Sequence, residues 1–397
     1  MKSRFQTFVM FAVLAVGLLA TGILGLWSYV NATATPLHPD AANVPSVTDE
    51  APAPAWADAA DEARSRVRAS LARLNLPGLS IAVGVAGDLV WAEGFGWADV
   101  EKRLPVAPDM RFRIGTASVA LTSAAVGLLV EDGRLDLDEV IQTYVPEFPE
   151  KEWPVTLRQV MAHTAGVRND GGDEGPLLSA HCAQTTDALP YFAERPLLFE
   201  PGTRYRYSSY GWILVSAAVE AAADDSLEKF MERRIFEPLG MRDTEPDRAN
   251  EPITNQVTSY FPRFGADPHY GLHLMRPIDY SCYAGSSVFL STPSDLVRFG
   301  MAITTGALLQ PATVALLQTP QQLASGEETG YGLGWDLERV TLAGGETRWA
   351  GHEGTSLGGM VASLITFPDR GLVVAVTSNI SYADTETIAI DVADAFA

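Results

Sequence analysis

Strand-like text stands at both ends of this sequence and helical text in the middle, and that division constrains the fold more than any other feature. Near the start, Leu79 to Val85 and Leu89 to Gly96 alternate or run apolar around Gly87-Asp88, a hairpin pattern. Near the end, Thr347 to Trp349, Met360 to Phe367 and Leu372 to Ser378 have the same character, with Pro368-Asp369-Arg370-Gly371 as a turn. Helices bracket these runs. Trp56 to Leu74 places Ala59, Ala63, Val67, Leu71 and Leu74 on one side, and Asp384 to Phe396 closes the chain. Thr116 to Glu131 is a third helix, stopped by Asp132-Gly133. From Leu135 to about Leu317 short helices and Pro/Gly turns dominate. The expected fold is α/β: one antiparallel sheet built from both chain ends and flanked by helices, an α-rich subdomain over about 120–317, and a pocket in the seam between them.

Ahead of the folded text, Lys2 and Arg4 precede an uncharged apolar run from Phe8 to Val30, long enough to cross a bilayer. Ala32-Thr33-Ala34 offers a cleavage site, but the run exceeds the about 7–15 residues of a signal core. Residues 1–31 are therefore expected to be an uncleaved membrane anchor, with a signal segment as the alternative. Residues 32–54, rich in Ala, Pro, Thr and Asp, read as a flexible tether, and residues 55–397 as the domain. This places an inner-membrane-anchored domain in the periplasm or extracellular space. With 28 Lys and Arg against 49 Asp and Glu, the net charge of -21 sets nucleic-acid partners aside. Cys182 and Cys282 would pair in an oxidising compartment, and two separate buried thiols fit the sequence equally well.

Three segments together point to chemistry. They are Phe112-Arg113-Ile114-Gly115-Thr116-Ala117-Ser118-Val119 at the opening of a helix, Tyr205-Arg206-Tyr207-Ser208-Ser209-Tyr210-Gly211 after Pro201-Gly202, and Gly351-His352-Glu353-Gly354 ahead of a C-terminal strand. Their order and spacing resemble the serine β-lactamase-related family of class C β-lactamases, DD-peptidases, esterases and the mitochondrial β-lactamase-like protease. Supporting text includes Met161-Ala162-His163-Thr164-Ala165-Gly166, Pro238-Leu239-Gly240-Met241 and Gly330-Tyr331-Gly332-Leu333-Gly334-Trp335. The resemblance implies a Ser-x-x-Lys nucleophile motif, a tyrosine that shuttles the proton, and a third motif on a strand that binds substrate beside an oxyanion hole.

Carried over residue by residue, Thr116 stands at the nucleophile, Val119 at the lysine, Tyr207 at the tyrosine, and His352 opens the third motif, with Gly354 and Thr355 as substrate-binding positions. Threonine keeps a hydroxyl but crowds it with a methyl; valine holds no proton. Shifting the register to Ser118 puts Leu121 at the lysine position. The literal Ser226-Leu227-Glu228-Lys229 sits where serine would cap a helix. His163 is expected to be structural and away from the chemistry, and Tyr280, Tyr283 and Trp335 core or pocket wall. His269 and His273 have helical ligand spacing without a His-Glu-x-x-His arrangement, so no metal and no cofactor is expected. The leading expectation is a catalytically impaired relative that binds a peptide or cell-wall-like ligand. One rival is an ester or amide hydrolase using Thr116, Tyr207 and His352, with the amides of Thr116 and Thr355 as oxyanion hole. The other is a membrane-tethered structural interaction module.

Overall fold

Alternating side chains near both ends of the chain build one twisted antiparallel sheet in the computed structural model, which describes residues 2–49, 51–169, 177, 180–248, 254–276, 278–356 and 359–397. Its main strands are β1 (Ser46–Thr48), β2 (Gly78–Val85), β3 (Asp88–Asp99), β4 (Asp336–Leu342), β5 (Gly345–Ser356), β6 (Met360–Phe367) and β7 (Leu372–Ser378). Their order across the sheet is β1-β3-β2-β7-β6-β5-β4, so β7, from the far end of the sequence, pairs with β2 from the near end. Val85 pairs with Asp88, which puts Ala86 and Gly87, both at positive φ, at the hairpin tip, one residue earlier than the Gly87-Asp88 pattern indicates.

β7 is buried on both faces, and its alternation divides the core. Ala82, Leu364, Val373 and Ala375 face a cluster with helices α3 (Ser118–Glu131) and α4 (Ser209–Ala223) and with α5 (Pro293–Thr305). Ile81, Val83, Val374 and Val376 face α2 (Ala57–Leu74) and α6 (Thr385–Phe396). The fold is thus an antiparallel sheet flanked by helices, as expected.

Three expectations need correction. One helix of the expected α-rich stretch, α5, lies on the sheet itself, because its face of Leu296, Val297, Phe299 and Ile303 is buried there against β2, β6 and β7. The same stretch holds a β-hairpin, Tyr260–Phe264 with Asp267–Leu274, so His269 and His273 lie on a strand. Four residues along a strand span about 13 Å, and His269 instead contacts Asp267 and the carbonyl of Arg73. Finally, the segment read as a flexible tether is docked: β1 pairs with β3, Val44 is buried, and Leu37 N–H donates to Asn75 Oδ1 at 2.7 Å. These contacts use backbone and isolated side chains, which leave no periodic trace.

A disulfide joins Cys182 to Cys282, 100 residues apart. Closing a loop of that length removes about 5 kcal/mol of chain entropy from the unfolded state. The Ser-x-x-Lys look-alike is a cap, as expected: Ser226 Oγ accepts from the Lys229 amide, and the Lys229 side chain is exposed.

Candidate active site

The site forms where a strand and a helical turn come into backbone contact. Thr116 lies in the short turn Gly115–Ala117 that leads into α3, and this turn rests on β5. Gly354 permits the approach. A Cβ there would sit 1.9 Å from the Ile114 carbonyl oxygen and 2.4 Å from the Ala117 amide nitrogen. Because side chains alternate along β5, His352 and Gly354 face the turn, whereas Glu353 and Thr355 face the α2–α6 side. Thr355 is therefore placed to contribute its backbone to the site rather than its side chain.

Thr116 is 9% exposed, and its Oγ1 donates to the Glu353 carbonyl at 3.1 Å. That carbonyl also accepts His352 Nδ1–H at 2.6 Å, so both its lone pairs are occupied. A nucleophilic hydroxyl must hand its proton to a base. Here the hydroxyl donates to a backbone carbonyl, which accepts the hydrogen bond but is too weak a base to take the proton. One helical turn on, Val119 is 0% exposed within the apolar cluster, and Ser118 is equally closed to solvent. The domain's lysines are engaged elsewhere: Lys102 pairs with Asp99, Lys151 donates to the carbonyls of Ala193 and Arg195, and Lys229 is at the surface.

With Nδ1 donating, His352 presents Nε2 as an acceptor, and Tyr331 O–H fills it at 3.0 Å. Burial raises the Tyr331 phenol well above its ordinary range, so it stays a neutral donor. Tyr207 packs 4.1 Å from the His163 ring and 6.2 Å from His352, ring centre to ring centre. His163 is not away from the chemistry, as its sequence context had implied. Its ring lies between Tyr207 and Tyr331, at 4.1 Å and 4.8 Å, on a backbone held at φ 58°. His163 Nδ1 accepts from Ser208 N–H at 3.1 Å, and Trp212 Nε1–H approaches Nε2 at 3.4 Å. A neutral imidazole has one lone pair, and the shorter contact takes it. Burial, reinforced by His352, lowers the His163 pKa well below the imidazole range. Tyr205, 38% exposed and 5.9 Å from both Tyr331 and His163, carries this aromatic cluster to the surface, and Tyr207 is also partly exposed.

Tyr331 is the site residue that sequence reasoning missed. Its signal was the glycine-flanked Gly330-Tyr331-Gly332, where a turn before β4 folds a lone aromatic back over β5. Trp335, Tyr280 and Tyr283 are fully buried core residues.

On the opposite face, burial and the charges of Glu386, Asp384 and Asp336 push the Glu353 carboxyl up to about 7. The side chain keeps solvent-facing area, so screening reduces the size of the effect. Below the ordinary glutamate value near 4.3 both folded and unfolded states are protonated; between there and about pH 7 only the folded state keeps the proton. Stability from this group therefore falls as pH rises through that window. Glu353→Gln is expected to raise the urea midpoint at pH 8 and to converge on wild type at pH 4; parallel midpoint curves for the two proteins would refute this.

Residues 63–397 match the sequence model of the family described as Beta-lactamase. The chain belongs to the beta-lactamase family. It is 26% identical over 444 residues to the serine beta-lactamase-like protein LACTB, mitochondrial, of Homo sapiens, covering 85% of this chain and 80% of that one. To penicillin-binding protein 4* of Bacillus subtilis (strain 168) it is 26% identical over 287 residues, 69% of this chain and 62% of that one. The D-amino acid amidase from Ochrobactrum anthropi SV3, solved with L-phenylalanine amide, superposes with a TM-score of 0.72 at 23% identity, over 85% of this chain and 98% of the amidase. The octameric penicillin-binding protein homologue from Pyrococcus abyssi gives 0.69 at 24%, over 83% and 76%. These structural likenesses carry the beta-lactamase fold. Within that fold, Thr116 and His352 share the Glu353 carbonyl and the Tyr207 ring lies 6.2 Å from that of His352, while Val119 is sealed into the core.

Proposed function

We propose that this beta-lactamase-family protein is a membrane-held, hydrolytically impaired member whose cleft binds a peptide or cell-wall-like ligand. One observation carries the reading: the Thr116 hydroxyl donates its hydrogen bond to the Glu353 carbonyl, with buried Val119 where the family resemblance calls for lysine. Loss of a positioned base costs about 10²–10⁴-fold in rate. Binding needs no such base. The open edge at Tyr205 and Tyr207 offers apolar ring area beside hydroxyls, which suits a ligand with both characters. The Cys182–Cys282 disulfide supports a periplasmic or extracellular domain, with α1 (Lys2–Thr33) keeping its basic end on the cytoplasmic side.

The test is intact-mass spectrometry of the full chain after incubation with a fluorophosphonate and, separately, with a penicillin. The expected spectrum shows no adduct at Thr116, while titration with peptidoglycan fragments gives saturable binding. An adduct mapped to Thr116 would instead establish the rival reading, an ester or amide hydrolase of the kind represented among the structural neighbours by an amidase.

A further inference from the structure

We propose that the hairpin Tyr260–Phe264/Asp267–Leu274 is a membrane seat, holding the domain in one orientation against the phospholipid headgroups of the bilayer that α1 crosses. The proposal rests on α1 being an uncleaved span. From Phe8 to Trp27, α1 rises about 30 Å, the thickness of the hydrocarbon core. Trp27 and Tyr29, 61% and 59% exposed, then stand where interfacial aromatic residues belong. The helix is already in contact with the domain at that level. Val30 is buried, and Arg263 Nη2 donates to Thr33 Oγ1 at 2.6 Å. Thr33 lies about 6 Å beyond Tyr29, and the headgroup layer is about 5–7 Å deep on each side, so the Arg263 guanidinium sits at headgroup depth.

The chain after α1 does not carry the domain away. His38 Nε2 lies 3.2 Å from the Pro77 carbonyl, and Asn75 binds both Leu37 N–H and, through Nδ2 at 3.1 Å, the Pro268 carbonyl of the hairpin. The pleat turns Tyr260, Pro262 and Leu272 toward the domain and Phe261, Arg263 and His273 outward. Phe261 meets the half-exposed Tyr382 ring at 5.6 Å, so apolar rings and a guanidinium share the outer face. Charge supplies the complementarity. In a chain of net charge -21, residues 260–276 hold Arg263, Arg276, His269 and His273 against one acid, Asp267, which pairs with His269. Anionic headgroups attract this patch and repel the acidic remainder.

The test uses the full chain carrying His273→Cys, labelled with an environment-sensitive fluorophore and reconstituted into two-to-one phosphatidylcholine–phosphatidylglycerol vesicles. Iodide quenching at position 273 is expected to be about threefold weaker than for the same label introduced by Lys229→Cys, which lies outside the hairpin. Adding Arg263→Glu and Arg276→Glu should bring quenching up to the Lys229→Cys level while the protein still sediments with the vesicles. Equal quenching at the two positions in membrane-retained protein would overturn the seat alone. Release of the protein by an alkaline carbonate wash would overturn the anchor, and the seat with it.

Discussion

Replacing Gly354 by alanine is expected to lower stability by about 3 kcal/mol, the upper end of the cost of overpacking a fitted contact. The added methyl has nowhere to go: the atoms it would meet at 1.9 Å and 2.4 Å are backbone, the Ile114 oxygen and the Ala117 nitrogen. Strand β5 and the Thr116 turn must part, and the Thr116–Glu353 hydrogen bond breaks with them. Thr116→Val isolates that bond alone and should cost about 1 kcal/mol, because the Glu353 carbonyl keeps its His352 donor. Urea denaturation of the two variants separates strain from hydrogen bonding. A Gly354→Ala midpoint equal to that of wild type would show that the strand and turn are not held in the contact described.

The second large effect is a gain. Thr116→Ser with Val119→Lys is expected to be acylated by a penicillin at least about 10²-fold faster than either single variant, since nucleophile and base act as one unit and their losses do not add. Thr116→Ser removes the methyl that crowds attack but leaves no base. Val119→Lys supplies an amine on the next helical turn, in a fully buried position where desolvation lowers its pKa and favours the neutral, proton-accepting form. The readout is the rate of adduct formation at position 116, with circular dichroism to confirm the fold. A folded double variant no more reactive than the singles would mean that Tyr207 and His352 are no longer placed to support the chemistry.

Much of this architecture was legible in the sequence because buried strands and amphipathic helices leave periodic traces. Met360 to Phe367 and Leu372 to Ser378 appear as strands with the boundaries read from their apolar runs. Strand β4 escaped because it is an edge strand: Asp336, Glu338 and Arg339 give both faces polar residues and erase the alternation. The hairpin at 260–274 escaped because Pro262, Pro268 and Gly271 interrupt it. In the site, the family resemblance pointed to Thr116, Tyr207 and His352. What it could not give was the direction of a hydroxyl proton. That depends on Gly354 admitting the strand to the turn, a contact between positions far apart in the chain.

The sheet also dictates when the protein can finish folding. Strand β7 lies between β2 and β6 at the centre of the sheet, yet it is made long after β2 and just before α6. While the chain is being synthesised, β2 and β3 wait with their inner edge uncovered, and α2 has no α6 to pack against. Completion of the core must wait until β7 and α6 have been made, and such long-range closure is slow. A chain interrupted before Leu372 would leave β2 as an open sheet edge, with its backbone N–H and C=O groups free to pair with another chain.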